Sequence, residues 1–395
     1  MRRWHFPTFA LLLLSACAGP VPTGEDALVL RGRIIDGTGA PAIEDGLVVV
    51  EGDRITCVGA MEGCGVPIGA RLVETDGTIL PGLIDLHVHT RPHYLWMYLA
   101  AGVTTVRDLN NDVGVIEQVG SDGSDRARVV WSGPLLDGEN SVIARMGGRI
   151  FQATTPEAAR AAVDSVADLG AEVVKLYEQI PPDAFRAAAE RAAERGLPTA
   201  ADLGTQLTRG LTDAEVDALQ AIEAGVTSIE HLSGFALAYR RLGGDPAAAR
   251  LDPVLVDSLA RAVVSSGVAV VPTLVVDAAF AADALDFVDE IPLADRLPEG
   301  MGEWWSQMHA GLSAEARKRA RADLRLSRAL IRRIAELGGR IGAGSDAPAG
   351  PFDVPGGALH RELELLVTEG GLTPLQAITA ATANAAHVLG RDDLG

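Results

Sequence analysis

The sequence predicts an α/β chain, a (β/α)8 TIM-type barrel preceded by a small β domain. Three observations predict it. From residue 83 onward, eight short apolar runs alternate with Ala-, Arg- and Glu-rich stretches of helical pattern, as repeated β/α units around a parallel sheet require. Residues 27–80 carry only short β-rich runs broken by turn signals, which read as a small all-β unit. No glycine fingerprint of a dinucleotide or phosphate loop follows an early strand, so an open doubly wound sheet lacks its usual mark.

The chain opens before the fold does. MRRWHFPTFALLLLSACAG joins Arg2 and Arg3 to an apolar stretch (residues 11–14) and a small-residue exit, the pattern of a secretory signal. The stretch is too short for a permanent transmembrane helix. LSAC at 14–17 resembles the lipobox of bacterial lipoproteins. The resemblance implies a signal peptide over 1–16, a lipidated Cys17 as first mature residue, and a place in the bacterial cell envelope on the periplasmic side. Simple cleavage to a soluble periplasmic protein is the alternative. PVPTGED then reads as part of a tether over 17–26.

The full chain carries a formal charge of −19, and removing Arg2 and Arg3 with the signal leaves −21. That balance argues against nucleic acid and against electrostatic binding to anionic lipid. Membrane contact is then left to the anchor at Cys17. Cys57 and Cys64, in CVGAMEGC, bracket a Gly-containing loop. In an oxidising compartment they suit a local disulfide, and two free thiols suit the sequence equally. About 380 mature residues are ample for a large barrel and an accessory domain.

Within 27–80 the strands are ALVLRGRIID, GLVVVEGDRITCVG and RLVETDGTIL, with GTGAP as a turn. The barrel occupies 81–350. Its strands are LIDLHVH (83–89), TTVRDL (104–109), ARVVWSG (127–133), EVVKLYE (172–178), PTAADL (198–203), SIEHL (228–232), VAVVPTLVV (268–276) and RIGAGSD (340–346). PEAARAAVDSVADLG and PPDAFRAAAERAAERG are helices between them, each closed by a Gly at the usual C-terminal position. GGALHRELELLVTEG and TPLQAITAATANAAHVLG are two further helices, in a segment 351–395 that packs on the barrel. Two connections, 134–155 and 277–312, leave the C-terminal ends of strands, where active sites of this architecture lie. Each reads either as a lid or specificity loop or as a surface elaboration packed by its own side chains.

His87 and His89 lie one residue apart on the first strand. Side chains alternate along a strand, so both imidazoles face one way, roughly 6.5–7 Å apart, and can converge on a cation. Lys175 stands near the end of the fourth strand, His231 on the sixth and Asp346 at the end of the eighth. Each alone has an ordinary reading: interior histidines, a snorkelling lysine, a helix-capping aspartate. A closed barrel brings all five across its mouth, as a metal site.

GRIIDGTGAP, PGLIDLHVHT, AAGVTTVRDL, VVKLY, IEHL, GSDAP and LTPLQAITAATANAAHVLG occur in this order. In combination they resemble the amidohydrolase superfamily of metal-dependent hydrolases over nearly the whole mature chain. The exported, prolidase-like dipeptidase branch is the most similar, with an imidazolonepropionase-related branch second. The resemblance implies two divalent metals, usually zinc. His87, His89 and Asp346 would hold the first; His231 would help hold the second, with Lys175 bridging both as its carbamate, formed with CO2. A lysine crowded by cations loses its proton and can become such an anion, whereas arginine stays protonated. Lys175 and Lys318 are the only lysines in the chain, so meeting one at this position is informative.

The implied reaction is hydrolysis of a carbon–nitrogen bond by metal-activated hydroxide, with Asp346 as general base and then acid. Tyr177 and His93 are candidate substrate contacts, and Arg145 and Arg149 a candidate clamp for a substrate carboxylate. The sequence also departs from the family. Its fifth strand normally brings a further His, whereas PTAADLGTQ has none. Asp202 stands at or beside that position, and a carboxylate ligates zinc at nearly the same distance as imidazole. If Ala201 is the true equivalent, Asp202 points away. The site then has two metals with Asp202 as ligand, one dominant metal, or weakened activity. The family also commonly continues beyond LGRDDLG with strands that complete a small β-sandwich; here those C-terminal strands read as missing.

The expected function is hydrolysis of amide bonds in small molecules, dipeptides or N-acyl amino acids, by an enzyme compatible with a homo-oligomeric state. One rival is a cyclic amide or amidine hydrolase of imidazolonepropionase type. The other is a catalytically impaired, lipid-anchored binding protein.

Overall fold

A computed structural model describes residues 27–119, 125–204, 214–285, 290–350, 352–391 and 393–394. The signal segment, Cys17 and the tether lie outside them. The chain divides into two units, residues 27–36 with Pro41–Leu80, and Gly37–Ala40 with Pro81 onward.

The first unit is a single four-stranded sheet. Ala27–Ile34 (β1) pairs antiparallel with Ile43–Glu51 (β2), which pairs antiparallel with Arg54–Ala60 (β3). Arg71–Ile79 (β4) lies parallel to β1 on its other side. Val29, Leu47 and Val49 are buried together with Cys64. Cys57 and Cys64 are joined as a disulfide. Four strands make one layer, so the described residues form a sheet where a sandwich of two sheets was expected.

The second unit begins with three parallel strands, Leu83–Val88 (β5), Val103–Asp108 (β6) and Arg128–Trp131 (β7). Leu136–Asp137 (β8), Phe151–Gln152 (β9), Val174–Leu176 (β10), Thr199–Ala201 (β11), Ser228–Glu230 (β12) and Ala269–Val271 (β13) form a second parallel set, ordered β13-β12-β11-β10-β8-β9. Two joins close the ring. On one side, Glu172 N donates to Trp131 O and Tyr177 N to Leu136 O, each at 2.9 Å, which ties β7 and β8, two halves of one stave, to β10. On the other, residues 340–347 form the eighth stave. Gly342 N donates to Val270 O at 2.9 Å, Leu86 N to Ala343 O at 2.9 Å, and Asp346 N to His87 O at 2.7 Å. The eighth stave thus bridges β13 and β5, and the barrel is complete.

Helices pack outside it for legible reasons. Thr155 caps helix Pro156–Asp168 by accepting from Ala158 N, and Pro156 occupies a first-turn position where its missing N–H costs nothing. Asp252 caps Pro253–Ser266, and Gly267 ends that helix at φ 76°. Three expectations are corrected. The apolar run 268–276 is a strand only as far as Val271; Pro272 offers no N–H to a ladder, Thr273 turns the chain at φ 48°, and Leu274–Ala281 is helical. Residues 136–137 continue the third stave rather than starting a loop, because Leu136 pairs with Leu176. The last apolar stretch is two helices, Pro374–Ala380 and Ala383–Val388, broken at Thr382. In the connection after β13, helix Met301–Ala310 buries Trp305 against Phe352, with ring centroids 5.3 Å apart, while Trp304 is exposed.

Candidate metal centre

The first stave delivers two imidazoles. His87 is fully buried and His89 partly exposed, and both reach Asp346 at the end of the eighth stave. His89 Nε2 lies 3.0 Å and His87 Nε2 3.5 Å from Asp346 Oδ1. Val88, between them, is buried in the barrel–helix core instead, as a period of two demands. The eighth stave comes this close because of Gly344: a Cβ there would stand 2.9 Å from His87 Cβ and 2.8 Å from Val271 Cγ1. No larger residue fits without displacing His87.

Three further staves add a second group. Lys175 on β10 is nearly buried, with Nζ 3.3 Å from His87 Nε2 and 3.3 Å from Asp202 Oδ2. Asp202 follows β11, its amide donating to Leu176 O at 2.8 Å. Its Oδ2 lies 3.5 Å from His231 Nε2. Asp202 therefore points into the group, and the open question of its direction is answered. His231 is aimed from behind. Thr273 Oγ1 donates to Pro272 O at 2.8 Å and so accepts from His231 Nδ1 at 2.6 Å, which leaves Nε2 to face Asp202.

The donors form two overlapping sets, His87 with His89 and Asp346, and His87 with Asp202 and His231. Within each set the ligand atoms lie within 4.8 Å of one another. The chemistry of the set fits divalent cations: imidazoles and carboxylates, gathered in a largely buried place. Burial opposes charge on His231, but Asp202 and Asp346 outweigh it and raise His231 to about 9. Burial likewise opposes Asp202, yet His231 and Lys175 bring it down to about 2. His87 is held well below the ordinary histidine range by burial and by the cationic groups around it. The two carboxylates stay ionised and His87 stays neutral, the states that ligate, whereas His231, cationic beside Asp202 and Asp346, has to release a proton to a bound metal. His231 and Asp346 have φ of 56° and 61°, a left-handed backbone that non-glycine residues rarely adopt and that concentrates at functional sites.

A cavity of about 310 Å³ opens above these groups. Tyr177, Asn110, Glu178, Asp277 and Phe280 line it together with His89, Lys175, Asp202, His231 and Asp346. Lys175 Nζ lies 5.2 Å from the centre of the Tyr177 ring. The other expected substrate contacts lie elsewhere. Arg145 is on an exposed helical turn, donating to Asn140 O at 3.0 Å, and Arg149 stacks 5.9 Å from the Phe151 ring centre. Neither lines the cavity, so neither stands where it could clamp a substrate carboxylate there. His93, in the turn Pro92–Tyr94, is exposed against Tyr94 and also outside the lining. The long loop turns outward at its tip, which spacing alone does not reveal.

Sequence reasoning passed over Glu230 and Arg107. Glu230 Oε2 lies 3.0 Å from His87 Nδ1, and Arg107 Nη2 donates to Glu230 Oε1 at 2.7 Å. The available signal was charge in apolar strands, the Glu of SIEHL and the Arg of TTVRDL, which rarely enter a barrel unpaired.

Residues 78–395 match the amidohydrolase family. Solved structures agree in fold. A Bifidobacterium longum protein described as a prolidase is 24% identical, with a TM-score of 0.66 over 93% of this chain and 84% of that one. Ochratoxinase from A. niger is 21% identical, with a TM-score of 0.66 over 92% and 84%. An Xaa-Pro dipeptidase solved with methionine in its active site is 19% identical, with a TM-score of 0.66 over 93% and 90%. No curated protein matches the chain in sequence. With most of its length matched and a donor cluster suited to divalent cations, the chain belongs to the amidohydrolase family, metal-dependent hydrolases of carbon–nitrogen bonds.

Proposed function

We propose that the enzyme hydrolyses amide bonds of dipeptides or N-acyl amino acids with two zinc ions. In this reading His87, His89 and Asp346 would hold one ion, His231 and Asp202 would help hold the other, and Lys175, as a carbamate, would supply a further anionic ligand. The observation that carries it is the sharing of His87 by two donor sets whose other members line one cavity. Bound divalent cations acidify water and polarise a carbonyl. The chain's own groups do the rest. Asp346, facing the cavity, accepts the proton of the attacking water and returns it to the leaving amine. Tyr177 is held well above the ordinary phenol range, first by burial and then by surrounding carboxylates, so it stays a protonated donor for the carbonyl oxygen. Phe280, Leu135 and Ile143 give the cavity an apolar wall for a small side chain. The prolidase and dipeptidase descriptions of structural neighbours favour this substrate class.

The same proposal places the enzyme in the envelope, anchored through Cys17. A Cys57–Cys64 disulfide suits that oxidising compartment. Among the described residues no helix is long and apolar enough to cross a membrane. Purified protein should carry two zinc ions and turn over members of a dipeptide and N-acyl amino acid panel, better with bicarbonate present. Metal without turnover on any of them would overturn the substrate class; no metal would overturn the centre.

A further inference from the structure

His87 belongs to both donor sets; its Nε2 lies 3.5 Å from Asp346 Oδ1 and 3.3 Å from Lys175 Nζ, while its Nδ1 is taken by Glu230. The centre therefore needs this ring in one tautomer and at one angle. Below it lies a closed polar ladder. Glu230 Oε2 meets His87 Nδ1 at 3.0 Å. Glu230 Oε1 accepts from Arg107 Nη2 at 2.7 Å and from Ser228 Oγ at 2.6 Å. Arg107 Nη1 donates to Ser228 Oγ at 3.0 Å, and its Nε to Leu86 O at 2.6 Å. All four side chains, His87, Glu230, Arg107 and Ser228, are fully buried.

The direction of each bond follows. Arginine only donates and is a permanent cation, and a carboxylate paired with it only accepts. The contact to His87 is then an Nδ1–H donation, which leaves the Nε2 lone pair toward the centre. We infer that Glu230, held by Arg107 and Ser228, is a positioning residue that fixes the tautomer and ring angle of His87 and so sets the cation affinity of the whole centre. The inference rests on the reading of His87 as a ligand. A purely structural ion pair would have no reason to spend one carboxylate oxygen on that ring. Buried pairs are in any case often replaceable by apolar residues without loss of stability. A ligating histidine, by contrast, commonly loses about 10–100-fold in metal affinity without its carboxylate partner.

Zinc titration against a chromophoric chelator, with ¹⁵N spectra of the zinc-loaded protein, tests it. In the unsubstituted protein His87 should show a protonated Nδ1 and a zinc-bound Nε2; the reverse assignment overturns the inference without any variant. Glu230→Gln leaves buried Arg107 without its counter-charge and is expected to weaken both folding and zinc binding. The double variant Arg107→Met with Glu230→Met removes both charges. It should keep the melting temperature nearer the unsubstituted value while zinc binding stays about 10–100-fold weaker. Zinc affinity within about threefold of the unsubstituted protein in the double variant overturns the positioning role and leaves the metal centre standing. An unsubstituted protein that takes up no zinc overturns the centre itself, and this inference with it.

Discussion

Asp202 and His231 meet across adjacent staves, with Oδ2 3.5 Å from Nε2. A carboxylate thus stands where the resemblance leads one to expect a fifth-stave histidine, and it faces the same group of donors. Asp202→Ala should lower the zinc content from two per chain to one, read by elemental analysis after dialysis. Asp202→His should keep two, because imidazole ligates at nearly the same distance. Two ions retained in Asp202→Ala would remove it from the ligand set.

Lys175 lies within 3.3 Å of both Asp202 Oδ2 and His87 Nε2. Lys175→Arg keeps a positive charge that cannot be shed, so the bridging anion cannot form. The second zinc should be lost and hydrolysis should fall by at least 100-fold, of the order a misassembled reaction centre loses. Full zinc content in this variant would end the carbamate assignment.

Gly344 touches His87 through empty space that a methyl group would fill at 2.9 Å. Gly344→Ala should cost about 1–3 kcal/mol by overpacking, measured by urea unfolding. It should also weaken zinc binding, because the backbone of the first stave must move. Gly338→Ala, with open space around it but φ 75°, serves as a control that strains the chain without approaching the centre. Zinc affinity equal in the two variants would contradict the packing argument.

Much of this was legible in the chain and some was not. A period of two in LIDLHVH gives His87 and His89 one direction, and the barrel alternation puts Lys175, His231 and Asp346 at one rim. Local pattern carries both facts. VAVVPTLVV misled because a continuous apolar run looks alike in strand and helix, and only Pro272 marked the break. Asp202 was ambiguous by one residue, and in a strand one residue reverses the facing. Arg145 and Arg149 were assigned by loop length, but a loop's path depends on tertiary packing. Glu230 and Arg107 were passed over for the same reason: each reads as an isolated charge until the fold pairs them.

Glu362 gives the stability a pH signature. Its Oε2 accepts from Val275 N at 2.9 Å, and burial raises its pKa from about 4.5 to about 8. A carboxyl that holds its proton more tightly when folded contributes stability fully present below pH 4.5 and lost as pH rises toward 8. Glu362→Gln cannot ionise and keeps the acceptor for Val275. Its stability curve should lack that decline, a difference on the order of a few kcal/mol at pH 8. Parallel curves for the two proteins between pH 5 and 8 would show that Glu362 ionises freely in the fold.

The most direct measurement is an anomalous difference map from zinc-soaked crystals, collected at the zinc edge. Two peaks are expected, one among His87, His89 and Asp346, the other among Asp202, His231 and Lys175, with His87 between them. No peak at this rim, or peaks bound by other residues, would contradict the account.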